Sequence, residues 1–514
     1  MKNSVLSCAV ALMVAVLTSC AERPHDAQPV GAQPLIYPDY IGVTVPAGIA
    51  PLNFNLMQPG SVRAEADVQQ LYVSVSGSQG GRIEASGHYA DFDLDEWQQL
   101  TRQNVGGNLT FSVYALSQGR WQQYDDFVVH VSPYSLDDYG VVYRLIPPGY
   151  EVYSHIGIYQ RNIHNWDEEA IIESQSVPGQ CMCCHTANRT NPAQFTFQLR
   201  GRHGSTLVQR EVADDDPAAN AKANGKTVAR EWLISKTDST LSKCVYPYWH
   251  PSGHFCAYSL NLIHQLFWTG KDRLVEVFDD ASDVIVLDVR NHEILRSPLV
   301  EHTRQWYETY PAFSADGRWL YFCRSVAARV PAHCDSCQYD LCRIAFDADS
   351  RTFGDSVEVV IAAASQGKNV TLPRPSYDGR WLMYCWSDYG NFPIDHQESD
   401  LWLMDLHTGR QFPATAANSD VTESFHNWSG NSRWFLFSSR RDDGLYSRLY
   451  IASIDDEGNV TKPFLLPQRN PWAYYHASIN SFNVPDFTSV RVDFDVHGAY
   501  DEVFSDKQIR TFTK

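Results

Sequence analysis

Apolar and polar side chains alternate along most of this chain, and the alternation has period two. Between residues 35 and 135, "NLTFSVYAL", "GRIEASGHY" and "WQQYDDFVVHVS" place every second side chain on an apolar face, with Gly, Asn and Asp turns between. This predicts a separate β-sandwich-like domain that ends before "PYSLDDYG". Residues 136–235 are mixed and read as a linking region. "IPPGY" marks a turn there, and "NIHNWDEEAIIES" is the one stretch that reads as a short helix.

From about residue 240 one unit recurs. "YPYWHPSGHFCAYS", "YPAFSADGRWLYFCRS", "LPRPSYDGRWLMYCWS" and "SFHNWSGNSRWFLFSS" are variants of a strand, a tight turn and a second strand. Each is followed by another strand pair, such as "DLWLMDLHTGRQF" or "RLYIASIDDEGNV". Four antiparallel strands at a period of roughly 50–65 residues make a propeller blade, and no blade can bury both faces alone. The chain is therefore mainly β, with a β-propeller over 236–485. "FTFQLRGRHGSTLVQREV" with "AREWLISKT" supplies a degenerate further blade, and the total lies at roughly five to seven. Residues 486–514 read as a tail or closing strand.

The N-terminus changes the picture from a fold to a place. Lys2 precedes an apolar run, Val5 to Leu17, of about 13 residues, too short to cross a bilayer. "LTSC" then has the form of a lipobox, so residues 1–19 read as a signal peptide and Cys20 as the acylated mature N-terminus. The polar run 20–34 reads as a tether. The expected location is the cell envelope, lipid-anchored to the outer membrane. The formal charge of −19 argues against nucleic acid and anionic lipid surfaces as partners; a protein partner is expected at the propeller face.

The unit "YPxFSxDGRWLYF…DLWxxDLxTG" resembles the TolB-like, PD40-type propellers of bacterial envelopes. "YPDYIGVTVPAGIAPLNF", "CMCCHTANRTNPAQFTFQLRGRHGSTL" and "SSRRDDGLYSRLY…KPFLLPQRNP" are similar to segments of Bacteroidetes lipoproteins that often carry the label "cytochrome c biosynthesis protein". The resemblance covers nearly all of the mature chain and implies the fold and the envelope location. This chain departs from that group in having Cys183 where Asn is usual.

Cys181-Met182-Cys183-Cys184-His185 satisfies C-x-x-C-H. In haem c attachment, Cys181 and Cys184 would form thioethers to the porphyrin and His185 would ligate the iron, with His203, and after it His164, as sixth ligand. A disulfide among the three thiols, or a zinc or copper site, is the alternative. No βαβ pattern surrounds the motif, which disfavours thioredoxin-like exchange.

Elsewhere, Cys323, Cys334, Cys337 and Cys342 cluster in one repeat and read as two disulfides or a four-thiolate zinc site. Cys244 and Cys256 are a further candidate pair, and Cys385 reads as a small buried hydrophobe. Trp386, Tyr389, His396, Arg440, Arg441 and Asp442 lie in loops expected at a propeller mouth. They are candidates for ligand contact or for stitching blades together. No G-x-S-x-G elbow or paired acid–base constellation stands out, so an enzyme is not expected. The leading expectation is extracytoplasmic electron transfer or haem-dependent sensing, with the propeller as docking platform. The other is a non-redox binding or scaffold lipoprotein whose cysteines are structural.

Overall fold

The computed structural model describes residues 23–58, 66–148, 156–238, 240–267, 275–301, 305–505 and 507–513. Cys20 and the expected signal peptide lie outside the described residues.

Six antiparallel sheets follow one another along the described chain. Blade 2 is built on Gln180–Asn188, Asn191–Gly201, Thr206–Glu211 and Lys226–Ile234, and blade 3 on Cys244–Trp249, Phe255–Phe267, Val275–Asp288 and Glu293–Leu295. Blades 4, 5 and 6 begin with Trp306–Phe313, Asn369–Pro375 and Glu423–Trp428. Blade 1 is composite. Gly140–Ile146, Gly157–Asn162 and Glu168–Glu173 supply three strands, and Ser481–Thr488 from the far end of the chain supplies the innermost. The innermost strands contact one another in a closed cycle, which makes the assembly a six-bladed propeller.

The repeat has a local cause. In blade 4, Ser314 Oγ accepts from the Trp319 amide and donates to Asp316, while Gly317 takes a positive φ of 75°; Ser376, Asp378, Gly379 and Trp381 repeat this in blade 5. That explains "S-x-D-G-R-W": hydroxyl and carboxylate satisfy the turn, Gly permits its backbone, and the aromatic residue opens the next strand. Every innermost strand also carries a bulge with one non-glycine residue at positive φ: Cys184, Tyr246, Tyr310, Leu372, Phe425 and Val484, all between 49° and 56°. A shift in strand register follows each of these residues.

Several expectations change. The region 136–235 is not a linker but most of two blades. "NIHNWDEEAIIES" is not a helix: its second half is strand Glu168–Glu173, held by Gly157–Asn162. The closing strand Ser481–Thr488 spans the boundary expected at 485/486. Before residue 136, a seven-stranded sheet, in which Asn108–Ser117 pairs Phe127–Val131 at its start and Arg120–Gln123 at its end, lies beside a two-stranded sheet of Ile36–Tyr37 and Asn55–Leu56. Helix Leu94–Gln103 packs Trp97 and Leu100 onto it, capped by Asp93. The expected tether is already engaged from its described start, since Gln28–Pro29 pairs with Gln122–Gln123.

The N-terminal domain and the propeller share one continuous apolar core. Tyr37 Oη donates to Asp442 (2.8 Å), and Asn53 Nδ2 donates to the Arg469 carbonyl (2.9 Å). At the other terminus, Ile509–Arg510 pairs with blade 2 and Phe512–Thr513 with blade 3, so the tail bridges two adjacent blades.

Candidate functional site

The C-x-x-C-H motif lies on the innermost strand of blade 2, Gln180–Asn188. The bulge at Cys184 interrupts the alternation of side chains there, and Cys181 and Cys184 are separated by about 10 Å of chain. Cys181 packs against the core between blades 1 and 2, with Met182 inside that core, whereas Cys184 packs with Cys183, Val245 and the Tyr246 ring of blade 3. The two sulfurs therefore serve different interfaces.

His185 is 1% exposed and wedged toward blade 1, facing the Val142 carbonyl and the Phe195 ring at 6.3 Å, and neither ring nitrogen makes a hydrogen bond of good geometry among the described residues. Burial pushes its pKa down to about 4, so the ring is neutral. Its place is a repeat position. The residue after the bulge is His185, Pro247, Pro311, Pro373, His426 and Pro485 in the six blades. His426 faces the Met383 carbonyl of blade 5 as His185 faces Val142, and it is also neutral, at about 3, through burial. Met383 pairs with Arg374 and Val142 with Asp486, so the two histidines occupy equivalent sites. His426 has no C-x-x-C before it. A porphyrin joined to both Cys181 and Cys184 with His185 beneath its iron does not fit this arrangement, because His185 fills an inter-blade position and the thiols share no edge.

Cys183 lies beside Cys184, which hydrogen-bonds to it and draws its pKa down; burial opposes this, and Arg200 and Arg144 assist it. Cys184 is raised correspondingly. All ten described cysteines are free.

One residue beyond each wedge position, side chains turn to the propeller axis: Thr186, Tyr248, Ala312, Arg374, Asn427 and Asp486. Five of these line two small adjoining recesses, with about 30 and 20 Å3 of space for water-sized groups, which share Thr186 and Asn427. Asp486 organises the ring, accepting from the Ala187 amide (2.9 Å), Thr186 Oγ1 (3.1 Å) and Asn427 Nδ2 (2.6 Å). Burial nevertheless pushes its pKa up to about 7. The Arg374 guanidinium stands over the Tyr248 ring at 5.4 Å and donates to the Pro373 carbonyl (3.0 Å). Aligning the repeats on their x-Pro-x triplet singles out this ring in the sequence.

The remaining candidates are dispersed. His203 lies past Gly201, which pairs with Gln180, about 17 Å of strand from His185. It is edge-on to Phe504 at 5.0 Å and cannot be a sixth ligand in this arrangement. His164 turns its ring nitrogens to the Gly48 and Asp138 carbonyls (3.0 and 2.9 Å), at the domain junction. Cys323 and Cys342 point to opposite faces of blade 4, because Phe322 is the residue paired with Cys342, and they fall in different apolar cores. They cannot bond without a register slip. Cys334 and Cys337 flank a single 3-10 turn and remain thiols. Cys244 pairs with Leu260 and Cys256 with Trp249, four positions apart. Cys385 is buried, with Sγ 3.8 Å from His426 Nδ1. Among the described residues no group of three or more His, Cys, Asp and Glu side chains is arranged to hold a metal.

The mouth loops stitch the structure together. Arg440 pairs with Asp395 (2.9 Å), Arg441 with the fully buried Glu423 (2.8 Å), and Asp442 accepts from Tyr37. Trp386 stacks on Trp402 at 5.1 Å. His396 lies between Glu276 (3.3 Å) and Glu398 (3.2 Å), edge-on to Tyr389. Burial disfavours its charge, yet hydrogen bonds to the two carboxylates outweigh that and hold its pKa up at about 9. These contacts tie loop 388–399 to the long hairpin of blade 3.

No family model and no curated protein matches the sequence. Solved structures resemble it in fold. TolB from Acinetobacter baumannii is 11% identical, with 77% of this chain and 86% of that chain covered, at a TM-score of 0.42. The periplasmic gluconolactonase PpgL of Pseudomonas aeruginosa is 14% identical (68% and 100% covered, TM-score 0.34), and an oligogalacturonate lyase in complex with manganese is 13% identical (76% and 99%, TM-score 0.32).

Proposed function

We propose that this chain is a lipid-anchored binding protein of the bacterial envelope, non-redox, with its ligand seated on the propeller axis and its cysteines structural. One observation carries the reading: five of the six innermost strands direct polar side chains into two adjoining recesses. The lipobox ending at Cys20 supports the anchor, and no helix among the described residues is long and apolar enough to cross a membrane. The exposed propeller faces are the place for a protein partner. The electron-transfer reading would need strand Gln180–Asn188 to leave the inner edge of blade 2.

Two measurements test this. Intact mass of protein matured in a strain with active haem ligation is expected to show polypeptide and lipid alone; a tetrapyrrole adduct overturns the non-redox reading. Asn427→Trp, which fills the axis, is expected to abolish the thermal shift given by any small-molecule ligand found by screening. A ligand that binds this variant as well as the wild type places the site elsewhere.

A further inference from the structure

The recess holds charge that the rest of the fold does not leave idle. In a chain of net charge −19, other guanidiniums of the propeller have carboxylate partners: Arg324 with Glu308 (3.2 Å), Arg351 with Asp288 (3.0 Å) and Arg441 with Glu423 (2.8 Å). Arg374, in the recess wall, has no carboxylate within 4 Å among the described residues, and neither has Arg189 at the rim of the adjoining recess. Arg189 donates to the Ala315 carbonyl (2.9 Å) and stands over Tyr377 at 6.0 Å. Each guanidinium is thus held in place by a ring and one carbonyl, which leaves most of its five donors free. Asp486, whose oxygens accept from Thr186, Ala187 and Asn427, acts on Arg374 through its charge but makes no direct ion pair with it.

We infer that the axial recess receives a carboxylate, with Arg374 as its ion-pair partner and Arg189 guiding entry at the rim. This rests on the axial-binding reading above. A planar, singly charged carboxylate matches the guanidinium fork in two parallel hydrogen bonds. A phosphate dianion would bring a second negative charge toward Asp486. Beyond Arg374 the wall turns apolar, with Tyr246, Leu372, Phe425 and Val484, so the group carrying the carboxylate has an aromatic or aliphatic body. Either a free organic acid or the C-terminus of a peptide presents that chemistry.

The test is calorimetric titration of the full mature protein with 3-phenylpropionate and its amide, N-acetyl-Gly-Phe and its amide, and phenyl phosphate. Each acid is expected to bind about tenfold or more tightly than its amide and than phenyl phosphate. Arg374→Gln is expected to remove that preference, Arg374→Lys to restore part of it, and Arg380→Gln, on the outer surface of the same blade, to leave it intact. Tighter binding of 3-phenylpropionate identifies an organic acid as the ligand type, and tighter binding of the peptide identifies a chain end. Equal binding of acids and amides, a preference that survives in a folded Arg374→Gln protein, or no binding of any acid at millimolar concentration overturns the inference. None of these results touches the axial-binding reading, which falls only if Asn427→Trp fails to block a ligand.

Discussion

At position 185 the chain itself supplies the informative substitution. Four of the six blades have proline at the wedge position that His185 occupies, after a residue with the same positive φ. His185→Pro is therefore expected to fold with stability within about 1 kcal/mol of the wild type, although proline inside a strand is ordinarily disruptive. His185→Asp, which leaves a carboxylate unpaired between two blades, should cost about 3 kcal/mol. Urea titration of both variants checks this, and equal losses would mean that the wedge positions are not equivalent. Arg441→Ala uncovers the buried Glu423 carboxylate and should also cost about 3 kcal/mol, with Glu423→Gln recovering part of the loss. His396 gives a pH signature. Its folded pKa of about 9 lies above the unfolded value of 6.5, so its contribution is complete below 6.5 and lost as pH rises through 9. The stability advantage of the wild type over His396→Gln should shrink across that window by at most about 3 kcal/mol. An advantage that is flat with pH would show that the ring is neutral throughout. The residue types were legible in the sequence, but their roles were not. The spacing C-x-x-C-H says nothing of the backbone that carries it, and on this strand Cys181 and Cys184 meet different neighbours.

Among the elements, those whose sequences follow the repeat were the readable ones, because turn chemistry and alternation both act locally. "SxDGRW" declares its hairpin without reference to the rest of the chain. Glu168–Glu173 reads as helix because three carboxylates and two isoleucines carry a helix-like pattern, while pairing with Gly157–Asn162 decides the outcome. Helix Leu94–Gln103 was missed although Asp93 and Glu96 form its capping signal, for the surrounding alternation outweighed it. "VPDFTS" in Ser481–Thr488 is an inner strand by the same rule as "YPAFSA", but it has no second strand after it in sequence. Ending the chain after residue 480 removes this strand and should abolish cooperative melting. Ending it after Phe504 removes only the short pairings to blades 2 and 3 and should lower the melting temperature by a few degrees. A cooperative transition in the shorter protein would show that blade 1 does not need its innermost strand.

For the whole molecule, the placement of the N-terminal domain could not be read from the sequence, since its contacts join residues some four hundred positions apart. Tyr37 reaches Asp442, and Lys462 pairs with Asp39 (2.6 Å). These contacts turn Asp442 from a mouth-loop candidate into a joint between domains. Tyr37→Phe removes one hydrogen bond there without changing shape. It should cost about 1 kcal/mol and quicken proteolysis at the junction, with limited trypsin digestion as the measurement. The borrowed strand of blade 1 has a consequence in time as well as in space. While the ribosome is still working and the polypeptide is emerging end first, Gly140–Ile146 waits with an unsatisfied edge for a partner that arrives only after some 330 further residues. A chaperone that shields open sheet edges would matter most during that interval, and a premature stop codon anywhere upstream of the latch would leave a sticky, unfinished annulus.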